Sequence, residues 1–227
     1  MNIEPIAKIV TDFDSKFGIP RQSGLVKNLS GTVVFEKKYR NPDAIRGIEG
    51  FSHLWLIWNF SKAERDTWSP TVRPPRLGGN KRMGVFATRS PFRPNPIGLS
   101  SVKLLEIKET AEDGTVLLVS GADLLDGTPI FDIKPYLAYT DSHPEATSGF
   151  AEEVMGHALT VCFPDRLLSL IKEEKRRGVI TILENDPRPS YIDDPDRIYT
   201  FNFADYEISF KVCEKELTVT DVALLKK

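Results

Sequence analysis

From Val85 to Leu99 the chain reads VFATRSPFRPNPIGL, a short apolar run followed by Arg89, Ser90, Arg93 and Asn95 set among three prolines and a glycine. Pro91, Pro94 and Pro96 fix their own φ and restrict the residues before them, which lowers the ordering entropy lost when a loop grips a ligand. Guanidinium forks on such a frame suit planar anions, phosphate or carboxylate. The loop lies within residues 67–105, thirty-nine positions with no Asp or Glu and seven cations: Arg73, Arg76, Lys81, Arg82, Arg89, Arg93 and Lys103. In a chain of formal net charge -2, a stretch cleared of acids faces something negative. A solvated basic loop would explain the charge, but not three prolines in six residues beside two arginines.

Other segments carry polar groups at useful spacing. In Asp123 to Tyr136 (DLLDGTPIFDIKPY), Asp126 and Gly127 signal a turn, and Asp132, Lys134 and Tyr136 alternate with apolar residues onto one strand face. An ordinary surface ion pair is the alternative there. Pro20-Arg21-Gln22 forms an extended loop before a strand, and His53 opens a Trp-rich run. The segment from Pro70 to Arg82 is basic, proline-stiffened at one end and hinged at Gly78 and Gly79, a layout suited to closing on a phosphate backbone or to a mobile surface loop. Three histidines (His53, His143, His157) and two cysteines (Cys162, Cys213) show no ligand spacing, so no metal site is expected and the thiols are expected reduced and buried. GxGxxG after a strand, Walker A, GxSxG and HxE with CxxC are all missing from the sequence, which removes support for the common dinucleotide, nucleotide, hydrolase and deaminase readings.

The elements that must position these residues are short strands. Residues 6–10, 31–35, 53–60, 83–87, 99–107, 115–120 and 129–133 are apolar or alternating runs bounded by Gly, Pro, Asn or Asp, a spacing that favours a barrel or sandwich. Asn41 is placed to cap a short helix with Pro42 in its first turn. His53 to Phe60 is apolar on both faces, a central strand with its tryptophans in the core. Residues 141–156 read as a linker. Beyond it, 157–227 read as a small α+β domain: a strand at 158–163, a helix opened by Pro164 and Asp165 and stopped by Gly178, a further turn at 179–185, then strands at 197–203, 206–212 and 217–222. The composition, 41% hydrophobic and 27% charged, is that of a soluble protein of one large or two unequal domains. The N-terminus lacks a signal-peptide layout, so a cytoplasmic location is expected. With a pI near 6.0, nucleic acid binding would have to use the local basic stretch.

Met83 to Leu99 (MGVFATRSPFRPNPIGL), with DGTP at Asp126–Pro129, DIKPY at Asp132–Tyr136, PRQ at Pro20–Gln22 and FSHL at Phe51–Leu54, resembles the TsaA-like, TrmO-type tRNA methyltransferases. Asp186 to Tyr191 (DPRPSY) is similar to a motif of the family's bacterial members with an extra C-terminal domain, Ala being usual at the position of Ser190. The resemblance implies a mainly β protein: a β-barrel catalytic domain over residues 1–140 and a small C-terminal α+β domain that could bind tRNA. It implies a homodimer that uses S-adenosyl-L-methionine to methylate N6 of threonylcarbamoyladenosine beside the anticodon, without a metal. By the same resemblance the cofactor pocket takes Pro20, Arg21, Gln22, His53, Leu54, Arg89, Leu99, Leu125, Asp126, Gly127 and Thr128. Asp132, Lys134 and Tyr136 are the catalytic candidates, and Arg73, Arg76, Lys81, Arg82, Arg93, Asn95 and Arg188 the substrate-binding ones. Two rivals share these residues: a non-enzymatic RNA-binding barrel and a hydrolase using Asp126 and Asp132.

Overall fold

In the computed structural model, residues 2–63, 67–74, 77, 81–154, 158–188 and 194–225 are described; Arg76, Gly78, Gly79, His157, Ser190 and Tyr191 lie outside them. Six strands close on themselves: β1 (Ala7–Val10), β2 (Ser30–Phe35), β3 (His53–Asn59), β6 (Ile97–Thr110), β7 (Gly114–Ser120) and β8 (Pro129–Pro135), hydrogen-bonded in the order β1-β2-β7-β6-β3-β8, with β1 and β8 completing a closed barrel. Alternation sends Leu54, Leu56 and Trp58 inward and leaves His53, Trp55, Ile57 and Asn59 half-buried on the other face, so β3 is less evenly buried than its apolar sequence suggests. Inside, these residues meet Ile9, Val33, Val102, Leu117, Val119 and Ile130.

The expected strand at 83–87 is short. β4 (Thr71–Val72) and β5 (Met83–Gly84) make a two-stranded hairpin that supports the basic loop, and Val85–Ala87 turns as a 3-10 helix. Asn41 caps the 3-10 helix Pro42–Ile45 by accepting from the Asp43 amide at 3.0 Å, as its side chain predicts. Within the expected linker, α1 (Ala138–Asp141) ends and a 3-10 helix covers Gly149–Val154.

The C-terminal part holds β9 (Thr160–Cys162), α2 (Asp165–Leu168), α3 (Glu173–Glu184), β10 (Tyr199–Phe203), β11 (Tyr206–Cys213) and β12 (Glu216–Leu224), the sheet running β10-β11-β12-β9 with β9 parallel to β12. Gly178 does not stop the helix. It lies inside α3, buried, where a Cβ would come within 3.1 Å of the Leu29 side chain, so its smallness serves a close approach rather than a C-cap. Glu173 and Glu174 in the first turn favour the helix start by meeting the positive end of its dipole. Cys162 and Cys213 are free thiols, but both are exposed, because they occupy the outward positions of alternating strands.

The connection between β1 and β2 belongs to the C-terminal core. Phe13, Val26 and Leu29 pack with Val179, Ile182, Phe203 and Phe210 in the C-terminal cluster rather than with the barrel. Lys175 Nζ reaches Asp12 Oδ2 at 2.5 Å, and the Ala204 amide donates to the Asp12 carbonyl at 2.8 Å. Phe13 is 2% exposed although it stands in a loop. Phe13→Ala is expected to lower unfolding free energy by about 3 to 5 kcal/mol in urea titration, as for a core phenylalanine; a loss below about 1 kcal/mol would mark an ordinary surface loop.

Candidate functional site

The same connection carries Pro20, Arg21 and Gln22 to the rim of a cavity of about 360 Å³, within the range of small-molecule sites. Arg89, Arg93, Leu99, Leu125 and Thr128 line it as well, so eight of the residues singled out in the sequence come together from three separate segments. A more open cleft adjoins it, lined by Ser23, His53, Trp55, Ser101, Tyr136 and Asp141. Arg89 and Leu99 belong to both.

Local structure explains the convergence. The Asp126–Gly127 turn is pinned from below: the Asp126 amide donates to the Phe13 carbonyl at 2.7 Å and the Gly127 amide to the Ile9 carbonyl at 2.9 Å. Thr128 Oγ1 closes the turn on the Leu125 carbonyl at 2.6 Å. Leu125 and Thr128 therefore face the cavity, while Asp126 turns away and accepts from the Thr11 amide at 2.9 Å. In the proline loop the Thr88 hydroxyl accepts from the Ser90 amide at 3.2 Å and the Ser90 hydroxyl from the Phe92 amide at 3.2 Å, two small turns that leave Arg89 and Arg93 on one side. Arg93 Nη1 donates to the Thr88 carbonyl at 3.3 Å, and Arg89 Nη1 donates to Gln22 Oε1 across the cavity rim.

Several expected site residues stand elsewhere. Leu54 is 0% exposed inside the barrel, because His53 and Leu54 are neighbours on a strand and only one of them can face the cleft. Asp132 and Lys134 do share a strand face, the outer one that also carries Trp55 opposite Lys134, but their own side chains line neither cavity nor cleft and satisfy each other at 2.8 Å. Asn95 is exposed at a turn, its carbonyl accepting from the Ile97 amide at 2.7 Å. The Arg188 guanidinium is clamped by both oxygens of Asp186 at 2.9 and 3.0 Å, and its carbonyl accepts from Arg21 Nη2 at 2.5 Å; it braces the cavity wall instead of offering its charge. Arg73, Lys81 and Arg82 are exposed on and beside the β4–β5 hairpin, where Arg82 Nη1 donates to Thr71 Oγ1 at 3.0 Å.

Sequence reasoning missed the cavity's inner wall. Trp58 stands opposite Gly98 in the β3–β6 register, and a Cβ on Gly98 would lie 2.3 Å from the indole. The ring thus lies flat over strand β6, its Nε1 donating to Ser100 Oγ at 2.9 Å, and Ser100 in turn donates to Asp123 Oδ1 at 2.5 Å. Burial pushes the Asp123 carboxyl above the usual carboxylate range, against the Ser100 hydrogen bond and the Arg89 charge, which favour its anion. Past the end of β3, Phe60, Ser61 and Lys62 extend the wall, with Phe60 against Trp58 at 4.2 Å between ring centres. A lone Ser and an Asp three residues before a turn carry no motif; only the cross-strand Trp–Gly pair hinted at a special contact. In the cleft, Asp141 accepts from the Trp55 indole and the Leu137 amide, each at 2.9 Å, which together with a weaker pull from His143 hold its carboxyl below the usual range. Tyr136 packs against His53 and Trp55 at ring-centre distances of 6.1 and 5.4 Å.

Comparison with known proteins agrees over the length of the chain. Residues 8–142 match the family model described as the tRNA-methyltransferase O N-terminal domain, and residues 157–225 that of the TrmO C-terminal domain. The tRNA (adenine(37)-N6)-methyltransferase of Escherichia coli K12 is 42% identical over 219 residues, 93% of each chain. A Pseudomonas aeruginosa relative, 38% identical over 231 residues and spanning 98% of this chain and 97% of its own, carries S-adenosylmethionine-dependent methyltransferase in its name. A crystal structure of TrmO from P. aeruginosa superimposes with a TM-score of 0.78 at 33% identity, covering 99% of this chain and 97% of that one.

Gly98→Ala is expected to cost about 1 to 3 kcal/mol in denaturant unfolding by driving Trp58 off Ser100. Gly84→Ala, whose Cβ would meet nothing within 4 Å, should cost less than about 0.5 kcal/mol. Equal losses would show that the Trp58 contact is not under steric control.

Proposed function

The chain belongs to the TrmO family of tRNA methyltransferases, and from that premise we propose that it transfers a methyl group from S-adenosylmethionine to N6 of adenine 37 in tRNA, the adenine carrying a threonylcarbamoyl group. The observation that carries this reading is the meeting of a cavity and a more open cleft at Arg89 and Leu99, a donor compartment beside an acceptor compartment. The cavity's groups fit the donor: ring faces at Trp58 and Phe60 for a planar base, Lys16, Arg21, Lys62 and the two loop arginines for a carboxylate, and Asp123 for a positive centre. When bound, the donor would supply an electrophilic methyl on sulfonium, which the acceptor nitrogen takes in line as the C–S bond breaks and neutral S-adenosylhomocysteine leaves.

The protein's own task is alignment. His53, Trp55 and Tyr136 offer ring faces to a splayed base in the cleft, and the bond from Asp141 to the Trp55 indole fixes that wall. Arg89, reachable from both compartments, suits the acceptor's threonyl carboxylate or the donor's. Of the proton-accepting candidates, Tyr136 alone lines the cleft and Asp132 does not, so N6 loses its proton to Tyr136 or to water. Arg73, Lys81 and Arg82 on the hairpin serve tRNA phosphates, and the C-terminal part, latched to the cavity wall through Arg21 and Arg188, extends that contact. We read residues 1–140 as the catalytic domain and 157–227 as the accessory one. Among the described residues no helix is long and apolar enough to cross a membrane.

Transfer of labelled methyl from S-adenosylmethionine is expected on tRNA bearing the threonylcarbamoyl group and not on tRNA lacking it; equal labelling of both would discard the acceptor assignment. Arg89→Ala should weaken the donor's binding and the acceptor's use together, each by about ten- to a hundredfold. Replacing Arg73, Lys81 and Arg82 by Ala should leave donor affinity alone while raising the tRNA KM and flattening its log-log salt slope by about one unit per lost contact.

A second copy is part of the same reading. Phe86 at 71% exposure, Leu99 at 53% and Ile97 at 39% leave an apolar fringe beside the cavity that a symmetric partner would cover. Sedimentation equilibrium is expected to return twice the chain mass, and Leu99→Asp to return the chain mass; a wild-type monomer at micromolar concentration refutes the dimer.

A further inference from the structure

We propose that Asp123 is the anionic subsite of the donor cavity, the group that receives a cationic centre of the methyl donor and thereby sets which way round the donor lies. The inference rests on the donor-site reading above and adds a residue that carries no motif in the sequence. Lys16, Arg21, Lys62, Arg89 and Arg93 line the cavity, and Asp123 is the one acid among its described lining residues. A ligand with a carboxylate and positive centres meets cations almost everywhere in this space. Its positive end has one favourable place to go among these groups, at Asp123, where Arg89 also acts on the carboxyl, and its carboxylate is left to the other cations, Lys16, Arg21, Lys62 and Arg93.

The carboxylate is aimed rather than loose. The Trp58 indole donates to the Ser100 oxygen, which commits the Ser100 proton to Asp123 Oδ1, and both links are anchored in the barrel, with Ser100 1% and Trp58 7% exposed. The backbone of Ser23 and Asp123's own amide add hydrogen bonds that favour the ionised form. Burial nonetheless leaves that anion under-solvated, which is the condition in which an incoming cation gains most. A carboxylate needed only to satisfy Ser100 would not have to border the cavity, since a buried amide or carbonyl accepts that bond as well.

Asp123→Asn keeps an oxygen for Ser100 and removes the charge. Three ligands separate the possible partners: S-adenosylmethionine carries sulfonium and ammonium, S-adenosylhomocysteine only ammonium, and 5′-methylthioadenosine neither. By calorimetry on the full-length protein, the variant is expected to bind S-adenosylmethionine about tenfold more weakly, the difference between a charge-assisted and a neutral hydrogen bond. Methylthioadenosine should bind parent and variant alike. A matching loss for S-adenosylhomocysteine identifies the ammonium as the partner, and an unchanged affinity identifies the sulfonium. Equal weakening of all three ligands, or none for S-adenosylmethionine, overturns the assignment. Should the variant fail to melt cooperatively, Ser100→Ala leaves the carboxylate but removes the hydroxyl that aims it. A smaller loss confined to the cationic ligands is then expected, and a loss shared by methylthioadenosine overturns the proposal. A parent protein that binds none of the three refutes the donor-site reading itself, whereas a parent that binds and a variant that loses nothing refutes only the role of Asp123.

Discussion

Trp58 and Gly98 stand opposite each other on β3 and β6, and the indole takes the volume that any Cβ at residue 98 would claim. Because side chains on a strand recur every second residue, Ser100 emerges on the same face as Gly98, under the indole nitrogen. Ser100 then orients Asp123, and Phe60 closes over the ring from the strand's end. The inner wall of the cavity is thus a consequence of one empty position in the barrel. Its polar groups are expensive to bury, and they persist because each has its partner inside the wall.

The connection from β1 to β2 imposes the second condition. It leaves the barrel, lends Phe13, Val26 and Leu29 to the C-terminal core, presents Pro20 to Gln22 to the cavity and returns to β2. A polypeptide cut after the barrel would expose those apolar side chains and release the cavity rim at once. Of the two regions matched by separate family models, the C-terminal one therefore completes its core with residues of the N-terminal one. Arg21, which donates to the Arg188 carbonyl, makes the same point from the other side.

The strands were legible in the sequence because alternation and turn residues are local signals, and the C-terminal sheet, with Tyr206, Ile208, Phe210 and Val212 all buried, shows the plainest case. The loop from Arg89 to Leu99 was legible because its chemistry is contiguous. Gly178 was misread because a glycine admitting a neighbouring side chain and a glycine ending a helix look alike in one dimension. Leu54 came in with His53 through the family resemblance, and strand geometry turns the two side chains to opposite faces. Asp132 and Lys134 had the right face in common, yet no local pattern says how far along that face the cleft extends. Asp123 and Ser100 acquire their meaning from a contact between strands β3 and β6 and the turn after β7, which has no one-dimensional signature.

Arg89 lies on the boundary of both compartments, exposed, hydrogen-bonded to the flexible Gln22 and within electrostatic reach of Asp123. One guanidinium serving two adjoining sites makes them thermodynamically linked. A ligand that draws the charge toward the cavity alters what the cleft can hold, and by the reciprocity of coupling the cleft alters the cavity by the same factor. Whichever ligand is bound then sets the affinity met by the other, through one side chain.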